Sequence, residues 1–271
     1  MLKTRVITGA VLTLIFSLVI CFSHVPWVLS TVIACLSMQA IYELYRATGL
    51  KDNKHLYFIS CAVSLLMSLV TIPGYDFIIF ILFIAAISLF VYLMLNIQNL
   101  NDIKQWITVC FAVMIICFFK CMSCVRAMDN GVYLLGMMVL VPVITDIAAY
   151  FVGRGCGRHK LAPVISPKKT IEGAVGGTVY AVVILVLVAT IFNANNVFTV
   201  NYGTLVAYLI LASVVGQFGD LALSSIKRIV GIKDYGNLLP GHGGILDRFD
   251  SLLFVLPFTY LFCLCAGPIL I

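Results

Sequence analysis

Most of this chain is taken up by unbroken apolar runs close to the 20 residues that carry an α-helix across the hydrocarbon core of a bilayer. Nine such runs can be marked, at roughly 5–23, 26–45, 56–73, 77–95, 106–122, 131–152, 171–193, 203–223 and 250–270. Strands of a membrane barrel would instead show short alternating segments. The balance of residues agrees, because 62% are hydrophobic and only 10% charged, against about a quarter charged in a soluble domain. The expected fold class is therefore all-α: a polytopic integral membrane protein with about nine transmembrane helices. The fifth run is short, and the eighth is expected to continue beyond the membrane as an amphipathic helix through Lys227 and Arg228. The first run has Lys3 and Arg5 ahead of it, but CFSHVPW offers no small-x-small cleavage site, so it reads as an uncleaved span.

Cations set the orientation. With the N-terminus inside, nine spans leave only Lys120 and Arg126 outside, so 15 of the 17 Lys and Arg fall on the inner side. The net charge of +6 is thus first a topological device, with attraction to anionic headgroups or nucleotide as a second use. No segment outside the membrane is large enough to fold into a basic surface for nucleic acid. Among the ten cysteines, most lie in apolar runs, where a thiol behaves as a small hydrophobe. Cys121 and Cys124 form a CMSC pair, but no second pair or histidine completes a metal site. Residues 1–130 hold about five spans with little motif content, and residues 131–271 form the region expected to be catalytic, with its site on the cytoplasmic side.

Away from span ends, polar residues gather in three places on that inner side. The first runs from Thr145 to Gly177: Asp146 inside the sixth span, then a loop with Arg154, Arg158, Lys160, Lys168 and Lys169, then Thr170 and Glu172 opening the seventh. An acid inside a span is costly and faces a cavity, a cation or a partner. SPKKT-x-E reads as a helix start, with Thr170 as cap and Glu172 at the positive end of the dipole. Lys168 and Lys169 beside that end would also suit a phosphate. In the second island, GQFGDLALSSIKR, Asp220, Ser224 and Lys227 fall one helical turn apart and can share a face. The third holds Lys233 and Asp234, then a loop in which Pro240, Gly241, Gly243 and Gly244 let backbone approach a ligand closely. Asp247 and Asp250 follow at helical spacing, with Arg248 between them. Alone, the first island reads as a helix start as readily as an anion seat. A snorkelling Lys227–Arg228 pair explains the cations of the second but not Asp220, and DRFD reads more readily as capping than as catalysis. Together, hard oxygen donors and fixed cations on one membrane face suit a magnesium-bound polyphosphate, held without a Walker loop or kinase signature.

SSIKRIVGIKDYGNLLPGHGGILDRFD, from Ser224 to Asp250, resembles the signature of the phosphatidate cytidylyltransferases, also called CDP-diacylglycerol synthases. SPKKTIEG and the Gly219–Asp220 pair match as well; before Asp146 only hydropathy agrees, with a Glu43 near the inner end of the second span. The resemblance implies transfer of CMP from CTP to phosphatidic acid, with release of pyrophosphate and a requirement for Mg2+, one ion or two, or with a monovalent cation beside it. It places Asp220, Lys227, Asp247 and Asp250 in catalysis, with Asp220, Asp247, Asp250 and Asp146 as metal ligands. Lys168, Lys169, Ser224, Arg228, Lys233, His242, Gly243, Gly244 and Arg248 would meet the substrates. Where many bacterial members carry an acid, this chain has Leu223. The expected partners are CTP, phosphatidic acid and the lipids of a bacterial cell membrane. Gly173, Gly176 and Gly177 permit close helix packing, which leaves a homodimer open. Competing readings are a CTP-dependent lipid-alcohol kinase and an ion-coupled transporter.

Overall fold

A computed structural model describes residues 2–49, 54–69, 104–241, 243–267 and 269–270. They form eight α-helices, labelled here α1 (Leu2–Cys21), α2 (Pro26–Thr48), α3 (Lys54–Leu69), α4 (Lys104–Arg126), α5 (Gly131–Cys156), α6 (Ile171–Ala194), α7 (Tyr202–Val230) and α8 (Asp250–Ala266). One antiparallel hairpin, β1 (Lys160–Ala162) with β2 (Ser166–Thr170), interrupts them between α5 and α6. Trp27–Thr48, Gly131–Cys156, Ile171–Ala194 and Tyr202–Val230 are long and apolar enough to cross a membrane, and Thr8–His24, His55–Leu69 and Asp250–Ala266 are shorter apolar helices. The expected total of nine spans is not reached among the described residues, and the run at 77–95 lies outside them. The eighth run does continue as one helix through Lys227 and Arg228, to Val230.

The helices sort into two compact units that are discontinuous in sequence: Met1–Ser123 with Ser225–Asp250, and Cys124–Ser224 with Ser251–Ile271. In the first unit, α2 opens with a proline in its first turn, where no intrahelical N–H is needed, and ends at Gly49 with φ +83°. Its inner face buries Ile33, Ile41 and Leu44. Polar groups that go into this apolar packing travel in pairs: Ser37 Oγ lies 2.7 Å from Ser64 Oγ, and Tyr45 OH 2.9 Å from Ser60 Oγ, joining α2 to α3. Lys120 on α4, one of the two cations expected outside, is buried and donates to Ser68 O at 3.3 Å.

In the second unit, α5 and α6 pack backbone to backbone. A Cβ on Gly177 would sit 2.7 Å from Thr145 O, and one on Gly173 2.7 Å from Ala149 O. The small residues of the seventh run therefore serve packing within this chain. Thr145 is hydrogen-bonded across to Ser213 of α7, and Tyr208 OH of α7 lies 2.9 Å from Thr259 Oγ1 of α8. Outward, α6 presents Val175, Val179, Val183, Leu187 and Ile191, an exposed apolar stripe at four-residue spacing that fits lipid rather than water.

Overpacking the α5–α6 contact should be costly. Gly177→Leu is expected to lower stability by about 1–3 kcal/mol, whereas Gly136→Ala, with nothing within 4 Å of the added methyl, should be neutral or mildly stabilising. Thermal unfolding in detergent compares the two; equal midpoints would disprove the close contact.

Candidate active site

The stretch after α7 is built by turns. Gly231, at φ +76°, closes the helix: its N–H reaches Arg228 O at 3.1 Å, and the next N–H, of Ile232, reaches Lys227 O at 2.9 Å. Leu239 then pairs with Gly243, its N–H 2.9 Å from Gly243 O, with Gly241 and Gly243 both at positive φ. His242 lies outside the described residues. Helix α8 begins only at Asp250, because Ile245–Arg248 forms a tight turn in which Arg248 N and Phe249 N both donate to Ile245 O, at 3.0 and 3.1 Å. Asp247 thus precedes the helix instead of sharing its first turn with Asp250.

That turn aims Asp247 inward. Its side chain is 2% exposed. Lys227 Nζ donates to Oδ1 at 3.1 Å, and the N–H groups of Tyr235, Gly244 and Gly236 reach Oδ2 at 2.8, 3.0 and 3.4 Å. The Lys227 ammonium also stands 5.5 Å from the centroid of the Tyr235 ring. Burial, and then the Asp247 and Asp250 carboxylates, hold the Tyr235 phenol well above its ordinary pKa, so it stays protonated at neutral pH and offers no base. Glu43 of α2 takes the next two amides: Ile245 N at 2.9 Å and Leu246 N at 2.8 Å. The glycines leave room for these carboxylates. A Cβ on Gly236 would fall 2.7 Å from Glu43 Oε1, and one on Gly243 2.9 Å from Asp247 Oδ2. The ligand that this face of the loop approaches is the protein's own acid.

The same segment borders a cleft of about 630 Å³, lined by Lys233, Asp234, Asn237 and Arg248 with Pro240 and Gly241 among others. Lys233, Asp234 and Arg248 are exposed, in contrast to Lys227. Residues from the motif-poor N-terminal run shape this region too: Thr8 Oγ1 donates to Pro240 O at 3.2 Å, and the Phe119 ring of α4 lies 5.8 Å from Phe249.

A second polar group belongs to the other unit. Lys169, at the end of β2, places Nζ 2.5 Å from Asp220 Oδ2 on α7, and Ser224 Oγ, one turn along, donates to Oδ1 at 3.2 Å. Lys168 is exposed. Thr170 caps α6 by accepting from Gly173 N at 3.2 Å. Glu172 folds back over the turn before β1, accepting from Arg158 N at 3.1 Å and pairing with His159 Nδ1 at 2.6 Å. Asp146, exposed on α5, accepts from Ser251 Oγ at 3.4 Å. Arg228 is exposed at the end of α7, and Leu223 is fully buried there.

Asp247 and Asp220, two of the expected magnesium ligands, are each engaged by protein donors within their own unit. Both oxygens of Asp247 are claimed by protein donors, and Asp220 lies against a lysine and a serine. Among the described residues, no group of three His, Cys, Asp or Glu is gathered to hold a metal. In the first unit, the exposed Lys233 and Arg248 stand beside a loop whose backbone is tied down from behind by Asp247 and Glu43.

A model of the cytidylyltransferase family matches residues 3–266. The chain belongs to that family. A phosphatidate cytidylyltransferase of Bacillus subtilis (strain 168) is 34% identical over 270 residues, 96% of each chain. Enzymes with the same name from Staphylococcus haemolyticus and Staphylococcus saprophyticus are 46% and 48% identical over 129 residues, 48% of each chain. In this cytidylyltransferase, then, the Ser224–Asp250 signature is the segment that turns around Asp247.

Removing one partner of a buried ion pair strands the other charge. Lys227→Ala should therefore lower stability by about 3–5 kcal/mol, and adding Asp247→Asn should recover part of that loss. Denaturant titrations of the single and double variants give the coupling; purely additive losses would show that the pair is not energetically linked.

Proposed function

We propose that this protein transfers the cytidylyl group of CTP to the phosphate of phosphatidic acid, releasing pyrophosphate and leaving CDP-diacylglycerol in the membrane. The observation that carries the reading is the cleft of about 630 Å³ beside the signature loop, with Lys233 and Arg248 on its wall. Its volume lies within the range of small-molecule sites, about 300–1,000 Å³.

The chemistry asks little of a base. A phosphate oxygen of phosphatidic acid is already anionic; it attacks the α-phosphorus of CTP, the new P–O bond forms, and the bond to the β-phosphate breaks to free pyrophosphate. The barrier is bringing two anions together. Fixed cations lower it without having to reorganise during reaction. Lys233 and Arg248 serve as the phosphate contacts at the cleft, and the exposed Arg228 of the same unit is a further cation for either anionic substrate. Lys227 and Asp247 act by holding the loop. Ser224 and Lys169 hold Asp220. We assign magnesium to the nucleotide, which enters as its magnesium salt, a substrate rather than a resident ion of the protein. The reacting groups face the cytoplasm, where CTP is made.

The test is incorporation of label from α-labelled CTP into lipid by the purified protein supplied with phosphatidic acid. Label in CDP-diacylglycerol is expected. Label arriving only from the γ-position would instead mean a kinase. In sealed vesicles, only inverted ones should use added CTP. Arg248→Ala and Lys233→Ala should each raise KM for CTP about 10-fold, the loss of one charge-assisted contact of about 1.4 kcal/mol. An unchanged KM for both substrates in both variants would remove the cleft from the reaction.

Chelation separates substrate metal from resident metal. EDTA should abolish turnover and added Mg2+ restore it, while the melting midpoint of the ligand-free protein stays where it was. A midpoint that falls in EDTA would reveal an ion bound to the protein itself.

A further inference from the structure

Glu43 sits near the C-terminal end of α2, far in sequence from the signature, and is only 2% exposed. Its two oxygens divide two consecutive amides between them, Ile245 N on Oε1 at 2.9 Å and Leu246 N on Oε2 at 2.8 Å, and Gln39 Nε2 adds a third donor at 3.1 Å. Among the described residues no cation forms an ion pair with it. A buried carboxylate is tolerated only where donors surround it, so these N–H groups are its main compensation. The dependence runs both ways. Ile245 and Leu246 are buried, and their amides open the turn that ends at Arg248, ahead of any helix that would provide acceptors.

Space around the carboxylate is equally restricted. Gly236 and Gly244 both press on Glu43 so closely that a methyl group on either would overlap its oxygens. Gly244 gives its own N–H to Asp247 at 3.0 Å. Three successive amides, of residues 244, 245 and 246, are thus split between two acids from different parts of the chain. Glu43 does not line the cleft and is too deeply buried to meet a substrate there.

We propose that Glu43 is a positioning residue for the transfer reaction: by holding the first two amides of the Ile245–Arg248 turn, it sets where the Arg248 guanidinium stands in the cleft. The inference rests on the cytidylyltransferase reading of that cleft. It assigns a task in the reaction to the N-terminal helices, which otherwise contain no part of the signature.

The experiment uses the full-length protein in detergent micelles with phosphatidic acid and α-labelled CTP. Glu43→Gln keeps the shape but turns one acceptor into a donor that faces an N–H. It is expected to raise KM for CTP about 10-fold in the folded fraction, with a smaller change in kcat, and to speed hydrogen exchange in a peptide covering residues 243–249. A role in folding alone would lower the yield and the apparent kcat at unchanged KM, and that result would overturn the proposal. A second pair of variants guards against misfolding. Gly244→Ala alone should lower kcat/KM at least 100-fold by collision with the carboxylate. Glu43→Asp, which draws that carboxylate back by one methylene, should restore at least 10-fold of the loss in the double variant; no rescue would likewise overturn it. If the wild-type protein makes no labelled lipid, the reading of the cleft fails instead, and the exchange data still report whether Glu43 clamps the turn.

Discussion

A loop without helix or sheet has backbone N–H groups that must find acceptors within the protein wherever it is buried. Asp247 and Glu43 meet that need by accepting from five amides, those of Tyr235, Gly236, Gly244, Ile245 and Leu246. Much of the region follows from these two acids. Glycine is needed where the backbone passes within contact distance of a carboxylate oxygen. Lys227 is drawn inward because Asp247 is buried, and the Tyr235 ring covers its other side. The turn that carries Arg248 stands where the amides on its first two residues are pinned.

Charge pairing in a poor solvent also sorts the cations by task. Lys227 and Lys169 are committed to Asp247 and Asp220, whereas Lys233 and Arg248 remain exposed at the cleft. Lysine and arginine residues that look alike in sequence therefore divide into those paired with an acid and those exposed at the cleft. The acids divide similarly. Glu172, which reads as a simple helix-dipole residue, also ties the turn before the hairpin through Arg158 and His159.

The helical fold was legible because its cause is local: an apolar run of about 20 residues has few alternatives to a helix in lipid. The cap at Thr170 and the extension of α7 to Val230 were legible for the same reason, since both depend on near neighbours in sequence. The hairpin at residues 160–170 was not foreseen, whereas α8 begins at Asp250, where the ninth run was marked. There the spacing of Asp247 and Asp250 suggested a shared helical face, but a tight turn closed by Ile245 O prevents it. Glu43 could be noticed as an acid near the end of a span; nothing in its surroundings named Ile245 and Leu246 as partners, about 200 positions away.

By itself the sequence determined the solvent, the helical class, the family and the segment in which the polar chemistry is concentrated, because hydropathy and a contiguous motif survive without coordinates. Only the tertiary structure decided which charges are buried against one another and which face the cleft. That assignment depends on long-range contacts between a carboxylate and backbone amides. Every residue carries such an amide, so no residue type marks the ones that will be used.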